Sequence, residues 1–162
     1  MTTFTVWKYD DPAGAERAAK LIKDAEADRL VKIDDHAVVS WPVGAAQPDT
    51  KHGHEENWRG AGWGGILGLL VGTLFFIPVV GGLAGAAIGA LAKATQDAGI
   101  TKEQLESIRS QVTEGTSALF VVTEQADLDR LAERMRGMHT TLLATNLTDA
   151  ERNVLLETFG GA

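Results

Sequence analysis

The sequence predicts an α+β protein that carries an inserted pair of apolar helices, and three observations support this prediction. Short apolar segments rich in β-branched and aromatic residues recur along the chain, as is typical of strands. Amphipathic segments that begin with helix-capping residues lie between them. None of the residues between Arg59 and Lys93 is charged. Because 162 residues suit one domain, we expect a single domain over residues 1–162 with an insertion at residues 58–95.

The segments before the uncharged stretch predict a strand, a helix and a second strand. The first strand is TFTVWKY, from Thr3 to Tyr9. Asp11 is then a suitable N-cap and Pro12 suits the first helical position. The apolar stripe of this helix consists of Ala15, Ala18, Ala19, Ile22 and Ala25. The second strand lies within residues 30–43, most clearly from Ala37 to Trp41, and we expect residues 44–57 to form a loop.

The segments after the uncharged stretch predict two more strands and three helices. Thr101 is expected to cap a helix that carries Leu105, Ile108 and Val112 and ends before Gly115. A compact apolar strand follows at residues 117–123, then a short amphipathic helix at 127–136 and a last strand at 140–145. The pair Thr148 and Glu151 predicts a capping box for a final helix that ends near residue 160.

The order of these elements indicates a particular α+β plan. Without the insertion and the helix that follows it, the order is strand, helix, strand, strand, helix, strand, which is the split βαβ or ferredoxin-like arrangement. The two middle strands are antiparallel neighbours in that arrangement. The insertion must therefore return close to the place where it leaves the sheet, and a helical hairpin meets this requirement.

The uncharged block, residues 60–92, has two runs of glycines at intervals of four. On a helix, such glycines share one face and form a strip where another helix packs closely. Pro78 divides the two runs and marks the expected bend of the hairpin. We expect the helix-packing interface to consist of Gly60, Gly64, Gly68, Gly72, Gly81, Gly85 and Gly89.

The block suits either a bilayer or the core of an assembly. Each arm would span roughly 26–27 Å at 1.5 Å per residue, slightly less than the ~30 Å hydrocarbon core. Trp58, Arg59 and Trp63 at the entrance and Lys93 at the exit match a membrane-interface pattern. The alternative is a soluble homo-oligomeric ring or shell with the hairpins packed in its core. The apolar residues that face away from the glycine strip can meet lipid or more protein; they are Leu67, Leu70, Val71, Leu74 and Ile88.

Charge and composition exclude several classes of partner. The chain has 15 Lys and Arg against 22 Asp and Glu, and the net charge of -7 repels nucleic acid. It has no cysteine, so we expect neither disulfides nor thiolate metal sites. The first residues lack the basic start and apolar run of a secretory signal. We therefore expect the α+β domain in the cytoplasm, attached to the cytoplasmic membrane or in a soluble cytoplasmic assembly.

Two polar clusters are candidates for a metal site or an acid–base site. His52, His54, Glu55 and Glu56 are close enough in sequence for a surface zinc or nickel site, but a flexible polar loop is the simpler interpretation. The acid–base candidate Asp34, Asp35 and His36 has no marked nucleophile or second acid and is interpreted as a turn at a strand edge. We therefore assign no catalytic residue, metal or cofactor.

Four segments together resemble a known family: IDDHAVVSW at residues 33–41, the glycine hairpin with Pro78, DAGIT at 97–101 and GTSALFVV at 115–122. They closely resemble a bacterial family of predicted membrane proteins, domain of unknown function 1269, over nearly the whole chain. His36 departs from the small residue expected after the acidic pair. The resemblance carries no reaction, substrate or cofactor.

The function expected from the sequence is that of a non-enzymatic structural protein, either membrane-associated or self-assembling, that forms homo-oligomers through its glycine hairpin. Its partners would be other copies of itself and membrane lipid. A ferredoxin-like ligand-binding module or enzyme remains a further alternative.

Overall fold

The computed structural model describes residues 3–30, 32–52, 70–72, 74–75, 89–93, 96, 99–124 and 141–145. In chain order its elements are β1 (Thr3–Tyr9), α1 (Gly14–Ala27), β2 (Lys32–Ser40), β3 (Asp49–His52), α2 (Lys102–Gln111), β4 (Ser117–Glu124) and β5 (Thr141–Thr145). Residues 70–72, 74–75 and 89–93 are also helical. The α+β class predicted from the sequence is confirmed. The helices expected at residues 127–136 and 148–160 lie outside the described residues.

The strands form one sheet in the order β3-β2-β4-β1-β5, and every pairing between neighbours is antiparallel. The central strand β4 pairs with β1 on one side and with β2 on the other. Strands β1 and β2 therefore run parallel to each other, and α1 connects them. This arrangement places α1 against one face of the sheet.

Helix α1 begins later than the sequence predicted. Its N-cap is Ala13, and the Oδ1 atom of Asp11 accepts a hydrogen bond from the amide of Ala13 at 2.9 Å, so Asp11 belongs to the preceding turn. The Oγ atom of Ser117 accepts the hydrogen bond of the Ala15 amide at 2.9 Å. A residue of β4 thus satisfies an amide at the start of this helix, which no local sequence pattern reveals.

An extra residue in β2 determines which side chains face α1. The register with β4 shifts between Ile33 and Asp35, so Asp34 is the additional residue of a β-bulge. Because side chains alternate along a strand, Ile33 and Val38 would lie on opposite faces without the bulge. Both are buried with α1. The acidic pair therefore lies within a strand, and the strand-edge turn expected there is wrong.

Strand β3 corrects the expectation of a loop at residues 44–57. Asp49–His52 pairs with residues 37–40 of β2 and forms one edge of the described sheet. The segment DTKH has no apolar alternation, because a strand at an edge is held by backbone pairing and tolerates polar side chains. The sequence signal for a strand is consequently missing.

Helix α2 follows the sequence prediction closely. Thr101 is its N-cap, and the Oγ1 atom of Thr101 accepts from the amide of Gln104 at 3.2 Å. The Oε1 atom of Gln104 in turn accepts from the Thr101 amide at 3.5 Å, which completes a capping box. Leu105 and Ile108 are fully buried.

Both faces of the sheet are covered. The first cluster joins α1 to the sheet and contains Trp7, Tyr9, Ala15, Ala18, Ala19, Ile22, Ala25, Leu30, Ile33, Val38, Leu119, Val121 and Leu142. The second joins α2 and part of the uncharged block to the opposite face, through Phe4, Val6, Ala37, Val39, Leu70, Val71, Leu74, Leu91, Ile100, Leu105, Ile108, Val112, Ala118, Phe120, Val122 and Leu143. The uncharged block therefore contributes to the core of the chain.

Candidate assembly site

The described residues of the uncharged block have an apolar side that is buried in their own chain. We call this the leucine side and define it as Leu70, Val71, Leu74 and Leu91. These side chains are 0%, 2%, 3% and 2% exposed. They pack against the face of the sheet opposite α1. Of the two environments expected for these side chains, protein is the one observed.

Three aromatic rings connect this side to the sheet. We define the aromatic cluster as Trp41, Phe75 and Phe120. The rings of Trp41 and Phe75 have centroids 6.5 Å apart at an interplanar angle of 86°. Those of Phe75 and Phe120 are 6.4 Å apart at 84°. Both are edge-to-face contacts, an arrangement that stabilises aromatic pairs beyond the burial of their area.

Trp41 is held firmly in this cluster by its own hydrogen bonds. Its indole Nε1 donates to the carbonyl of Ala45 at 2.9 Å. Its backbone amide donates to the carbonyl of Thr116 at 3.0 Å, and its carbonyl accepts from the amide of Gly115 at 2.7 Å. The indole is therefore a fixed partner for Phe75, at the end of β2 where the chain turns toward β3.

The glycine side of the same block is described at two positions, and both are half-buried. We define it, within the described residues, as Gly72 and Gly89. A Cβ atom built on either glycine meets no atom of the described part of the chain within 4 Å. At Gly14, by contrast, a Cβ would lie 2.4 Å from the Cβ of Tyr9. Packing inside the chain thus explains Gly14 but does not explain the two glycines of the block.

The other positions expected to form the site fall into two groups. Lys93 is exposed at the end of the helical residues 89–93, where an interfacial cation was expected. Gly60, Gly64, Gly68, Gly81, Gly85, the bend at Pro78 and the anchors Trp58, Arg59 and Trp63 lie outside the described residues. The helix-packing interface as a whole and the bounds of the insertion therefore stay predictions.

The structure describes only part of the two polar clusters. His52 ends β3, whereas His54, Glu55 and Glu56 lie outside the described residues. His36 is buried in β2, opposite Val121 on the sheet face covered by α1. Among the residues that the structure describes, no group of three or more His, Cys, Asp or Glu is placed to hold a metal ion.

Sequence reasoning missed the contribution of the leucine side to the core. The signal was present in β4, where residues 118–122 are apolar at every position. An uninterrupted apolar strand indicates a sheet that is covered on both faces. The ferredoxin-like plan places its helices on one face only, so a second covering layer was needed.

In the described part of the chain, no helix combines the length and the apolar character that crossing a membrane requires.

The fold and the site define an α+β protein whose antiparallel sheet is packed on one face by α1 and on the other by α2 and the described helical residues of an uncharged block. A family model described as "Protein of unknown function (DUF1269)" matches residues 61–160, which is more than half of the chain. The chain belongs to this family. Neither the curated proteins nor the solved structures contain a significant match to it.

Proposed function

We propose that this protein is a non-enzymatic structural protein that assembles with copies of itself through the glycine side of its uncharged block. The proposal rests on the different environments of the leucine side and the glycine side of the block. The leucine side is buried against the sheet, whereas a Cβ atom on Gly72 or Gly89 would meet no atom of the described residues within 4 Å. Glycines in register on a helix cost stability, about 1 kcal/mol each relative to alanine, and close helix packing between copies compensates for that cost.

A ferredoxin-like domain is the proposed scaffold for this assembly. The parallel pair β1 and β2, joined by α1 and separated by β4, supports the split βαβ arrangement, with β5 beside β1. Strand β3 is then an added edge strand, and the hairpin is inserted between β3 and α2. Gly72 and Gly89 lie in the described helical residues whose leucine side packs on the sheet face opposite α1.

Membrane lipid is the second proposed partner, with the α+β domain in the cytoplasm. The absence of charge between Arg59 and Lys93 supports this part of the proposal. The burial of the leucine side favours the alternative, a soluble assembly, because those side chains are already occupied. Self-assembly through the glycine side is common to both versions.

Leucine substitutions test the glycine side directly. Gly72→Leu and Gly89→Leu introduce a branched side chain where the described chain has open space, so we expect each variant to fold. We expect both to form smaller or fewer oligomers than the wild type in sedimentation velocity, because the new side chain separates the packed helices. Ala27→Leu, at an exposed position of α1, is the matched control and should leave oligomer size unchanged. Unchanged oligomers in both glycine variants would show that the glycine side is not a contact surface.

A further inference from the structure

Among the described residues, the large apolar side chains that a bilayer would receive also cover the sheet. Leu70, Val71, Leu74 and Leu91 are the large apolar residues of the block that are buried within the described chain. A side chain cannot contact the sheet and lipid tails at the same time. Membrane association through these residues therefore requires that they leave the sheet.

Their departure would uncover one face of the sheet. Phe4, Val6, Phe120 and Val122, from strands β1 and β4, are each 0% exposed, and they belong to the same cluster as the leucine side. Exposure of this many apolar groups to water is unfavourable. The sheet consequently competes with the membrane for the block, and the outcome depends on how strongly the sheet holds it.

We infer that the leucine side together with Phe75 has two mutually exclusive positions, docked on the sheet and inserted in lipid, and that the aromatic cluster of Trp41, Phe75 and Phe120 stabilises the docked position. This inference rests on the membrane association proposed above. Phe75 is the member that belongs to the block, and it contacts one ring on either side. Trp41 and Phe120 lie on the sheet, so substitution of either one weakens docking without changing the hydrophobicity of the block itself.

Self-assembly does not share this requirement. Within the described residues, Gly72 and Gly89 have open space beside them while the leucine side is docked. Two copies are therefore able to meet through their glycine sides in the docked position. Only membrane association requires release of the leucine side from the sheet, so assembly and membrane association can be tested separately.

Flotation with phosphatidylcholine vesicles tests the inference, because neutral lipid neither attracts nor repels a chain of net charge -7. Phe120→Ala removes the sheet-side ring that contacts Phe75. We expect the ratio of vesicle-bound to free protein to rise about tenfold or more, since weaker docking shifts the population toward the released position. The matched control is Leu119→Ala, the next residue of β4, which is equally buried but lies in the cluster with α1. Its vesicle binding should stay close to that of the wild type.

A reversible cross-link tests the same inference by fixing the docked position directly. The chain has no cysteine, so Trp41→Cys with Phe75→Cys supplies one thiol on the sheet and one on the block. A bismaleimide that contains a disulfide joins the two thiols and fixes the docked position. We expect the cross-linked protein to lose vesicle binding and to regain it when dithiothreitol cleaves the linker. The same variant capped with N-ethylmaleimide controls for modification of the thiols.

Two results would overturn the inference. One is vesicle binding by the cross-linked protein equal to that of the capped control. The other is equal flotation of the wild type, Phe120→Ala and Leu119→Ala, whether all three bind or none does. Sedimentation velocity on the same samples without lipid reports on assembly separately. A wild-type monomer would therefore contradict the proposed assembly and leave the vesicle result to decide this inference.

Discussion

Gly14 and Gly72 differ in what surrounds them, and this difference predicts opposite responses to the same substitution. At Gly14 a Cβ atom would lie 2.4 Å from the Cβ and 2.9 Å from the Cγ of Tyr9, which is too close for any real contact. The start of α1 or the end of β1 would have to move. At Gly72 a Cβ has open space within the described chain.

We expect Gly14→Ala to destabilise the protein by about 1–3 kcal/mol, the usual cost of overpacking. Gly72→Ala should leave stability unchanged or raise it by up to about 1 kcal/mol, since alanine is the better helix former. Urea unfolding followed by circular dichroism measures both changes. Equal destabilisation by the two substitutions would contradict the environments described for these glycines.

At the scale of elements, the N-terminus of α2 is the part that local sequence predicted best. Thr101 was expected to cap a helix with apolar positions at Leu105 and Ile108, and the structure contains a capping box at Thr101. The start of α1 was predicted less well, because the hydroxyl of Ser117, which accepts from an amide of its first turn, comes from a distant strand. A cap of this kind depends on the fold, so it is not visible in sequence.

We expect Thr101→Ala to destabilise the protein by about 1 kcal/mol, since the Gln104 amide loses its acceptor. Ser110→Ala is the matched control, because its exposed hydroxyl donates only to the Ser107 carbonyl within the same helix. The midpoint of urea unfolding should fall for Thr101→Ala and stay nearly constant for Ser110→Ala. If Thr101→Asn lowers the midpoint as much as Thr101→Ala does, the capping explanation is wrong, since asparagine is also a good N-cap.

The bulge at Asp34 and the strand β3 were not predicted from the sequence, and both have a structural reason. A bulge changes the face of every residue beyond it, so the alternation that identifies a strand is interrupted in the middle of β2. Strand β3 has polar residues throughout and depends on its pairing with β2. Both features depend on the neighbouring strand, whereas the apolar segments of β1 and β4 were evident from their own residues.

At the scale of the whole molecule, the uncharged block contributes both to the core and to the proposed assembly surface. Its leucine side contributes to the core on the face opposite α1, while the glycine side has open space within the described residues. The spacing of the glycines predicted a helix-packing face. It left open whether the leucines contact lipid or protein. Periodicity identifies the sides of a helix, but it does not identify the surface that each side contacts.

The central claim is that copies of this chain assemble through the glycine side, and sedimentation velocity of the wild-type protein in detergent-free buffer tests it most directly. We predict a species that is larger than the 17.2 kDa monomer and persists on dilution, because the glycine side of each copy packs against another copy. A single monodisperse species of 17.2 kDa, with no bound lipid, would contradict the claim.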